Sequence, residues 1–131
     1  MKSSPKGISN LDHYGRISFL YQAANQMTVS GKYNILSRAL LENMDLVSKK
    51  TVLRLSPAMK RTVCKKCHNF LIPGIGVSIN IQNLTKQKYE HNDVLVYTCT
   101  TCGTKKRYPV GRNRKYVLFS ERDDVVCDRN D

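Results

Sequence analysis

Acidic residues are scarce in this chain, and their scarcity excludes most kinds of active site. The 131 residues include 22 Lys and Arg but only 10 Asp and Glu, and no acid occurs between Leu46 and Tyr89. Acids this sparse and scattered do not form the paired carboxylates of acid–base catalysis. A phosphate-binding glycine loop is also absent, and His13, His68 and His91 show neither metal nor triad spacing. The sequence predicts a protein that binds rather than an enzyme.

Long apolar runs and a secretory signal are missing as well. No segment approaches the roughly 18 to 20 apolar residues that span a bilayer, so we expect no membrane partner. Residues 1–13 include basic side chains but no apolar core of a signal peptide. We therefore expect a reducing compartment, the cytosol or the nucleus, in which the five cysteines do not form disulfides.

The excess of basic residues predicts a polyanionic partner. The formal net charge is +12 at pH 7, and a charge of this size destabilises a small compact protein unless an anion neutralises it. Residues 46–89 and 94–120 contain no acids, whereas the last eleven residues contain five acids and two bases. Because the two acid-free stretches flank the cysteines, we expect nucleic acid to bind there.

Two amphipathic helices are predicted in the N-terminal third. Apolar residues recur at steps of three and four between Leu11 and Met27. A second stripe consists of Leu36, Leu40, Met44 and Val47. Ser37 and Ser48 are assigned to other faces of that helix, and Pro57 is expected to end or bend it. The pattern favours a helical hairpin whose remaining apolar face packs either on a protein partner or on the rest of the chain.

Beyond Pro57 the apolar period changes from helical to alternating. Strands are predicted at 77–82 and 93–99, with further candidates at 108–110 and 116–119, and the polar stretch 83–92 reads as a loop.

The cysteines form two C-x-x-C pairs, Cys64 with Cys67 and Cys99 with Cys102. Each spacing lets both sulfurs turn toward one point, and two such knuckles complete a tetrahedron of thiolates around one structural Zn²⁺. The 31 intervening residues exceed the usual gap of about 15 to 20. Closing the longer loop costs only about half a kcal/mol, against about 10 kcal/mol or more from structural zinc.

Other interpretations of these cysteines are less favoured. Cys64, Cys67 and His68 spell a haem-attachment motif, but that leaves the second pair unexplained. A thioredoxin-like redox pair lacks its strand-to-helix context, and four Cys ligands leave no open position for catalytic zinc. His68 either follows the knuckle or replaces one cysteine as a ligand, and Cys127 is predicted to be a spare thiol.

These patterns predict an α+β protein. We expect a flexible N-terminus at 1–9, an antiparallel two-helix hairpin at 10–57, a zinc ribbon of about three antiparallel strands at 58–120, and an acidic tail at 121–131.

An ordered set of segments resembles the small zinc-ribbon protein subunit of ribonuclease P, a family shared with ribonuclease MRP. The segments are Leu20-Tyr21-Gln22, MDLVSKKT (44–51), KRTVCKKCH (60–68), Leu71, Pro73-Gly74, CTTCGT (99–104), Lys106-Arg107, Tyr116 and Ser120-Glu121-Arg122. The resemblance covers roughly residues 10–122. The insert at 83–92 is longer than in shorter members of the family.

The resemblance implies a non-catalytic, RNA-binding subunit in a nuclear ribonucleoprotein, and a nucleolar location is left open. In that family the RNA subunit, with Mg²⁺, removes the 5′ leader of precursor tRNA. The helices pair with a protein subunit that contains a small β-barrel, and the pair sits on the specificity region of the RNA. Direct contact with precursor tRNA is left open.

Charge and resemblance together predict which basic residues include the contacts to ribonuclease P RNA. They are Lys49, Lys50, Arg54, Lys60, Arg61, Lys65, Lys66, Lys105, Lys106, Arg107, Arg112, Arg114 and Lys115. Two alternatives remain at this point: a subunit of ribonuclease MRP, which processes rRNA, and a general zinc-ribbon nucleic-acid-binding or adaptor protein.

Overall fold

A computed structural model of the chain describes residues 10–110, Val117 and Arg122. The predicted flexible N-terminus, most of the strand candidate at 116–119 and the acidic tail apart from Arg122 lie outside the described residues. The chain divides into two compact units between Arg54 and Leu55.

The first unit is the predicted helical hairpin. Helix α1 spans Leu11–Val29 and helix α2 spans Asn34–Lys50, with a short connection that contains left-handed Gly31 (φ 71°). None of the helices in the described part of the chain is both long and apolar enough to cross a membrane.

The buried stripe of α2 matches the apolar pattern only in part: Met44 is buried as expected, whereas Leu40 and Val47 are only partly buried. Ser37, Leu41, Met44 and Ser48 are buried, whereas Leu36 is 46% exposed. The serines are buried because their hydroxyls find backbone partners. The hydroxyls of Thr28 and Ser37 lie 2.6 Å apart, and each lies 2.9 Å from the carbonyl oxygen of Ala24. Small polar residues at the contact let the two helices approach closely while their hydrogen bonds stay satisfied.

Substitutions at two neighbouring positions distinguish the observed stripe from the expected one. Ser37→Leu is expected to lower the free energy of unfolding of the hairpin by about 2 to 4 kcal/mol, because it overfills a packed contact and removes a buried hydroxyl. Leu36→Ser, on the exposed side, is expected to cost less than about 1 kcal/mol. Urea titrations that follow the helical circular dichroism signal measure both. A larger effect for Leu36→Ser would contradict the packing described here.

Helix α2 ends before the proline, and the proline begins a new helix. Val52 adopts a left-handed conformation (φ 55°) after α2, so the Leu53 N–H donates back to the Ser48 carbonyl oxygen at 2.9 Å. Helix α3 then spans Pro57–Thr62, and the Ser56 hydroxyl caps it. The expectation that Pro57 would end or bend α2 is therefore wrong. Proline is well suited to a first helical position because its fixed φ and missing N–H cost nothing there.

The second unit contains a three-stranded antiparallel sheet in the order β1-β2-β3, as the ribbon prediction required. Strand β1 spans Val77–Asn83, β2 spans Asp93–Cys99 and β3 spans Lys105–Pro109, with a short 3₁₀ turn at Glu90–Asn92 in the loop before β2. The third strand begins earlier than the candidate at 108–110.

Strand alternation sorts the side chains of the sheet onto two faces. Tyr97 is paired with Ile79 on one side and with Lys106 on the other, and Leu95 is paired with Ile81 and Tyr108. We call the face that carries these residues, together with Val77 and Cys99, the cysteine face. Lys105 and Arg107 point to the opposite face.

Candidate metal centre

The four predicted ligand cysteines converge in the structure. Cys64 and Cys67 follow α3, Cys99 ends β2, and Cys102 lies in the turn before β3. All four sulfurs lie within 4.8 Å of one another. The Sγ atoms of Cys64 and Cys102 are 3.5 Å apart, and those of Cys67 and Cys99 are 3.6 Å apart.

Both knuckles have the same backbone geometry. The N–H of His68 donates to the Cys64 carbonyl oxygen at 3.1 Å, and the N–H of Gly103 donates to that of Cys99 at 2.9 Å. The donors adopt left-handed conformations, with φ of 53° at His68 and 71° at Gly103. Among side chains that enter this region, histidine is one of the better tolerated. His68 therefore shapes the first knuckle through its backbone and is not one of the four converging ligands.

Gly76 allows the chain between the knuckles to pass close to itself. A Cβ atom there would lie 2.2 Å from the Phe70 carbonyl oxygen, so only glycine fits. The Gly76 carbonyl oxygen accepts hydrogen bonds from both the N–H and the hydroxyl of Thr100, each at 3.2 Å. This contact ties the segment after the first knuckle to the residue after Cys99.

The protonation of the cysteines depends on their surroundings. Burial raises the pKa of Cys67 to about 12, although the Asn69 N–H opposes the shift. Hydrogen bonds from the Thr104 hydroxyl and backbone lower the pKa of Cys102 to about 6. Cys67 therefore stays a thiol at neutral pH unless a cation replaces its proton.

The sulfur geometry fits a tetrahedral metal ion. With metal–sulfur bonds of about 2.3 Å, the edge of a regular S₄ tetrahedron is about 3.8 Å, close to the sulfur separations of 3.5 and 3.6 Å. Four cysteine sulfurs are a soft donor set that suits zinc or iron. Cys64, Cys67, Cys99 and Cys102 can thus hold a metal ion with all four positions filled, which is the arrangement of a structural site.

The basic residues that were predicted as RNA contacts differ in their exposure. Eight of the predicted RNA contacts are exposed, namely Lys49, Lys50, Arg54, Lys60, Lys65, Lys66, Lys105 and Arg107. Lys49 also forms an ion pair with Asp45 at 2.6 Å. Arg61 and Lys106 are partly buried. Arg112, Arg114 and Lys115 lie outside the described residues.

The two partly buried cations contact the protein itself. The Arg61 guanidinium carbon lies 5.4 Å from the centroid of the Tyr108 ring, and Tyr108 meets Tyr97 edge-on at 5.3 Å between centroids. Burial lowers the pKa of Lys106, while the nearby Cys64 sulfur shifts it the other way. Sequence reasoning missed these contacts because they depend on the placement of α3, and no apolar periodicity predicted that helix.

Comparisons with known proteins agree with this architecture. The family model described as RNAse P Rpr2/Rpp21/SNM1 subunit domain matches residues 16–103. The chain is 36% identical over 126 residues to ribonuclease P protein subunit RPR2 of Saccharomyces cerevisiae, which covers 91% of this chain and 79% of that protein. It is 30% identical over 119 residues to ribonuclease P protein subunit p21 of Mus musculus, covering 90% of this chain and 75% of that protein.

A solved structure is similar over most of the chain. It is a chain of the cryo-EM structure of archaeal ribonuclease P with mature tRNA, with a TM-score of 0.66 and 25% sequence identity, covering 85% of this chain and 87% of that one. The family model, the relatives and this structure all match a chain whose two helices precede a sheet with four converging cysteines. The chain belongs to the RNAse P Rpr2/Rpp21/SNM1 subunit domain family.

Proposed function

We propose that this chain is a non-catalytic, RNA-binding protein subunit of ribonuclease P, which supports removal of the 5′ leader of precursor tRNA by the RNA subunit. The observation that carries the proposal is the set of exposed cations that accompanies a closed four-cysteine centre in a member of this family. A centre with four protein ligands leaves no position for substrate or water. Lysine and arginine side chains in the surrounding surface suit RNA phosphates.

The metal that we propose for the centre is one structural Zn²⁺, held by Cys64, Cys67, Cys99 and Cys102. Zinc accepts tetrahedral thiolate coordination and has no redox chemistry of its own. With zinc bound, the four thiolates leave a net charge of about −2 at the site. Exposed Lys65 lies between the two cysteines of the first pair and exposed Lys105 follows the second pair, so basic residues offset that charge without acting as ligands.

The helical hairpin carries the surface that we propose for a protein partner. Several of its large apolar side chains are exposed, among them Leu11 (64%), Phe19 (67%), Ile35 (85%) and Leu46 (57%). An amphipathic helix with an apolar exposed side is a common protein-recognition element. The partner that we propose is the β-barrel protein subunit of the same complex, in a nuclear ribonucleoprotein. In this scheme the exposed apolar side chains of the hairpin bind protein, and the basic residues from Lys49 onward bind RNA.

Native purification tests the proposed function directly. The tagged full-length chain is purified from its own cells, the co-purifying RNA is sequenced, and the complex is assayed for leader release from precursor tRNA. We expect ribonuclease P RNA and Mg²⁺-dependent leader release in the complex, and no cleavage by the isolated chain. An untagged strain is the control.

The same purification separates the alternatives. If only ribonuclease MRP RNA co-purified, the chain would belong to that particle and its role in tRNA maturation would be wrong. If no RNA co-purified and the isolated chain showed no salt-sensitive RNA binding, a protein adaptor would be the better description. Cleavage of precursor tRNA by the isolated chain would contradict the non-catalytic role.

A further inference from the structure

The side chain of Lys106 is bound to the end of helix α3. Its Nζ donates to the carbonyl oxygens of Lys60 at 2.8 Å and Val63 at 2.6 Å. Carbonyl groups at the end of a helix lack intrahelical donors. The Cys64 N–H does not supply one to Lys60, because it donates to the Asn69 carbonyl oxygen at 3.0 Å. The ammonium group of Lys106 fills that place, where a cation also interacts favourably with the helix dipole.

This contact joins the two halves of the cysteine centre. Val63 directly precedes Cys64, and Lys106 lies four residues after Cys102, so the bond from Lys106 to Val63 connects the chain beside one knuckle with the chain beyond the other. The sulfurs of Cys64 and Cys102 are themselves 3.5 Å apart. A brace at this point limits how far the first knuckle can move away from the second.

A second contact on the cysteine face supports the same placement of α3. Arg61, in the last turn of α3, lies over the ring of Tyr108, which is two residues beyond Lys106 on the same face of β3. Tyr97 holds the Tyr108 ring from the neighbouring strand. Lys106 and Tyr108, at successive positions on one face of β3, therefore each hold α3 on the sheet through a contact that involves a cation.

Lys106 differs in this respect from its neighbour Lys105. Lys105 is exposed and points to the opposite face of β3. Its ammonium group is therefore accessible to a phosphate that approaches from solvent. Lys106 is partly buried, and two of the three hydrogens of its ammonium group are directed at backbone carbonyls. A phosphate oxygen at Lys106 would have to compete with both of these bonds.

We propose that Lys106 is a positioning residue of the four-cysteine centre, which holds the end of α3 and thereby Cys64 against β3, and that it is not a phosphate contact. The proposal rests on the proposed structural metal site and is independent of which RNA the chain binds. Groups that orient metal ligands without touching the metal commonly change metal affinity about 10- to 100-fold when they are removed.

The test compares Lys106→Met with Lys105→Met in the full-length, zinc-loaded chain. Each variant removes one ammonium group and keeps most of the apolar stem, so the change in net charge is the same. Two quantities are measured: the rate of zinc transfer to a chromogenic chelator, and the salt dependence of RNA binding by the loaded protein. Lys106→Arg, which keeps the charge and the donors, is the rescue variant.

We expect zinc release about 10-fold or more faster in Lys106→Met, an unchanged salt slope for its loaded form, and slow release restored in Lys106→Arg. Lys105→Met is expected to release zinc like the unaltered chain and to reduce the salt slope by about 1. If Lys106→Met does not load with metal, Lys106→Gln, which keeps one donor group, provides the same comparison.

Unaltered zinc release in Lys106→Met would overturn the proposal, as would a loss of salt slope equal to that of Lys105→Met. If the unaltered chain itself held no metal, this proposal and the proposed metal site would fall together. Slow, unchanged release in a fully loaded Lys106→Met chain would overturn the positioning role alone.

Discussion

Cys64→Ser is expected to abolish metal binding and to unfold the second unit, while the helical hairpin stays folded. The cysteines are a large part of the core of this unit: the buried cluster consists of Cys64, Leu71, Val77 and Cys99, and Cys67, Tyr97 and Cys102 pack against it. Structural zinc contributes about 10 to 16 kcal/mol of folding free energy in small metal domains. This cluster, even with the buried side chains of Phe70 and Val96, does not replace that contribution in a short ribbon.

Metal content and hydrogen exchange measure this effect in one preparation. The unaltered chain is expected to hold about one zinc ion, and Cys64→Ser far less, with loss of amide protection in the strands but not in α1 and α2. Cys127→Ser is the matched control because it removes a thiol outside the set of four. Strands that stayed protected in Cys64→Ser, or in the unaltered chain after chelation, would show that the centre does not stabilise the fold.

Replacing the exposed cations near the cysteines is expected to reduce RNA affinity by about two orders of magnitude or more at moderate salt. The reason is that RNA binding then neutralises fewer phosphates and so releases fewer counterions. The multiple variant changes Lys60, Lys65, Lys66, Lys105 and Arg107 to Gln. All five residues are exposed, so their substitution leaves the described core intact. The salt slope should fall by about 0.7 to 0.9 for each phosphate contact that is lost.

A matched pair of double variants separates local contacts from total charge. Lys65→Gln with Lys66→Gln, and Lys86→Gln with Lys88→Gln, each remove two charges from exposed lysines, but the second pair lies in the loop before β2, away from the knuckles in the sequence. Binding assays at several salt concentrations should show the larger loss of slope for the first pair. Equal losses would mean that only net charge matters, and no loss in the fivefold variant would refute RNA binding by this surface.

In the helical hairpin, apolar periodicity predicted the helices themselves but not all of their buried residues. The existence of both helices followed from apolar residues at steps of three and four, but the buried stripe of α2 followed only in part, since Met44 is buried and Leu36 is exposed. Leu36 is more apolar than Ser37, and a pattern of side-chain types therefore favoured Leu36 for the buried side. Ser37 is buried because its hydroxyl meets the Ala24 carbonyl oxygen and Thr28 across the helix contact. No single segment contains that partnership.

The positions of the four converging cysteines and the three-stranded ribbon were determined by the sequence alone, because a C-x-x-C spacing limits where two sulfurs can point and strand alternation repeats every two residues. Tertiary structure decided the roles of individual residues beside them. In KRTVCKKCH, the lysines within the cysteine pair are exposed, His68 forms the left-handed turn of the knuckle, and Arg61 packs on Tyr108. Lys105 and Lys106 are chemically identical neighbours. Only the placement of α3 against β3 gives Lys106 two carbonyl partners and leaves Lys105 in solvent, because such contacts join segments more than 40 residues apart.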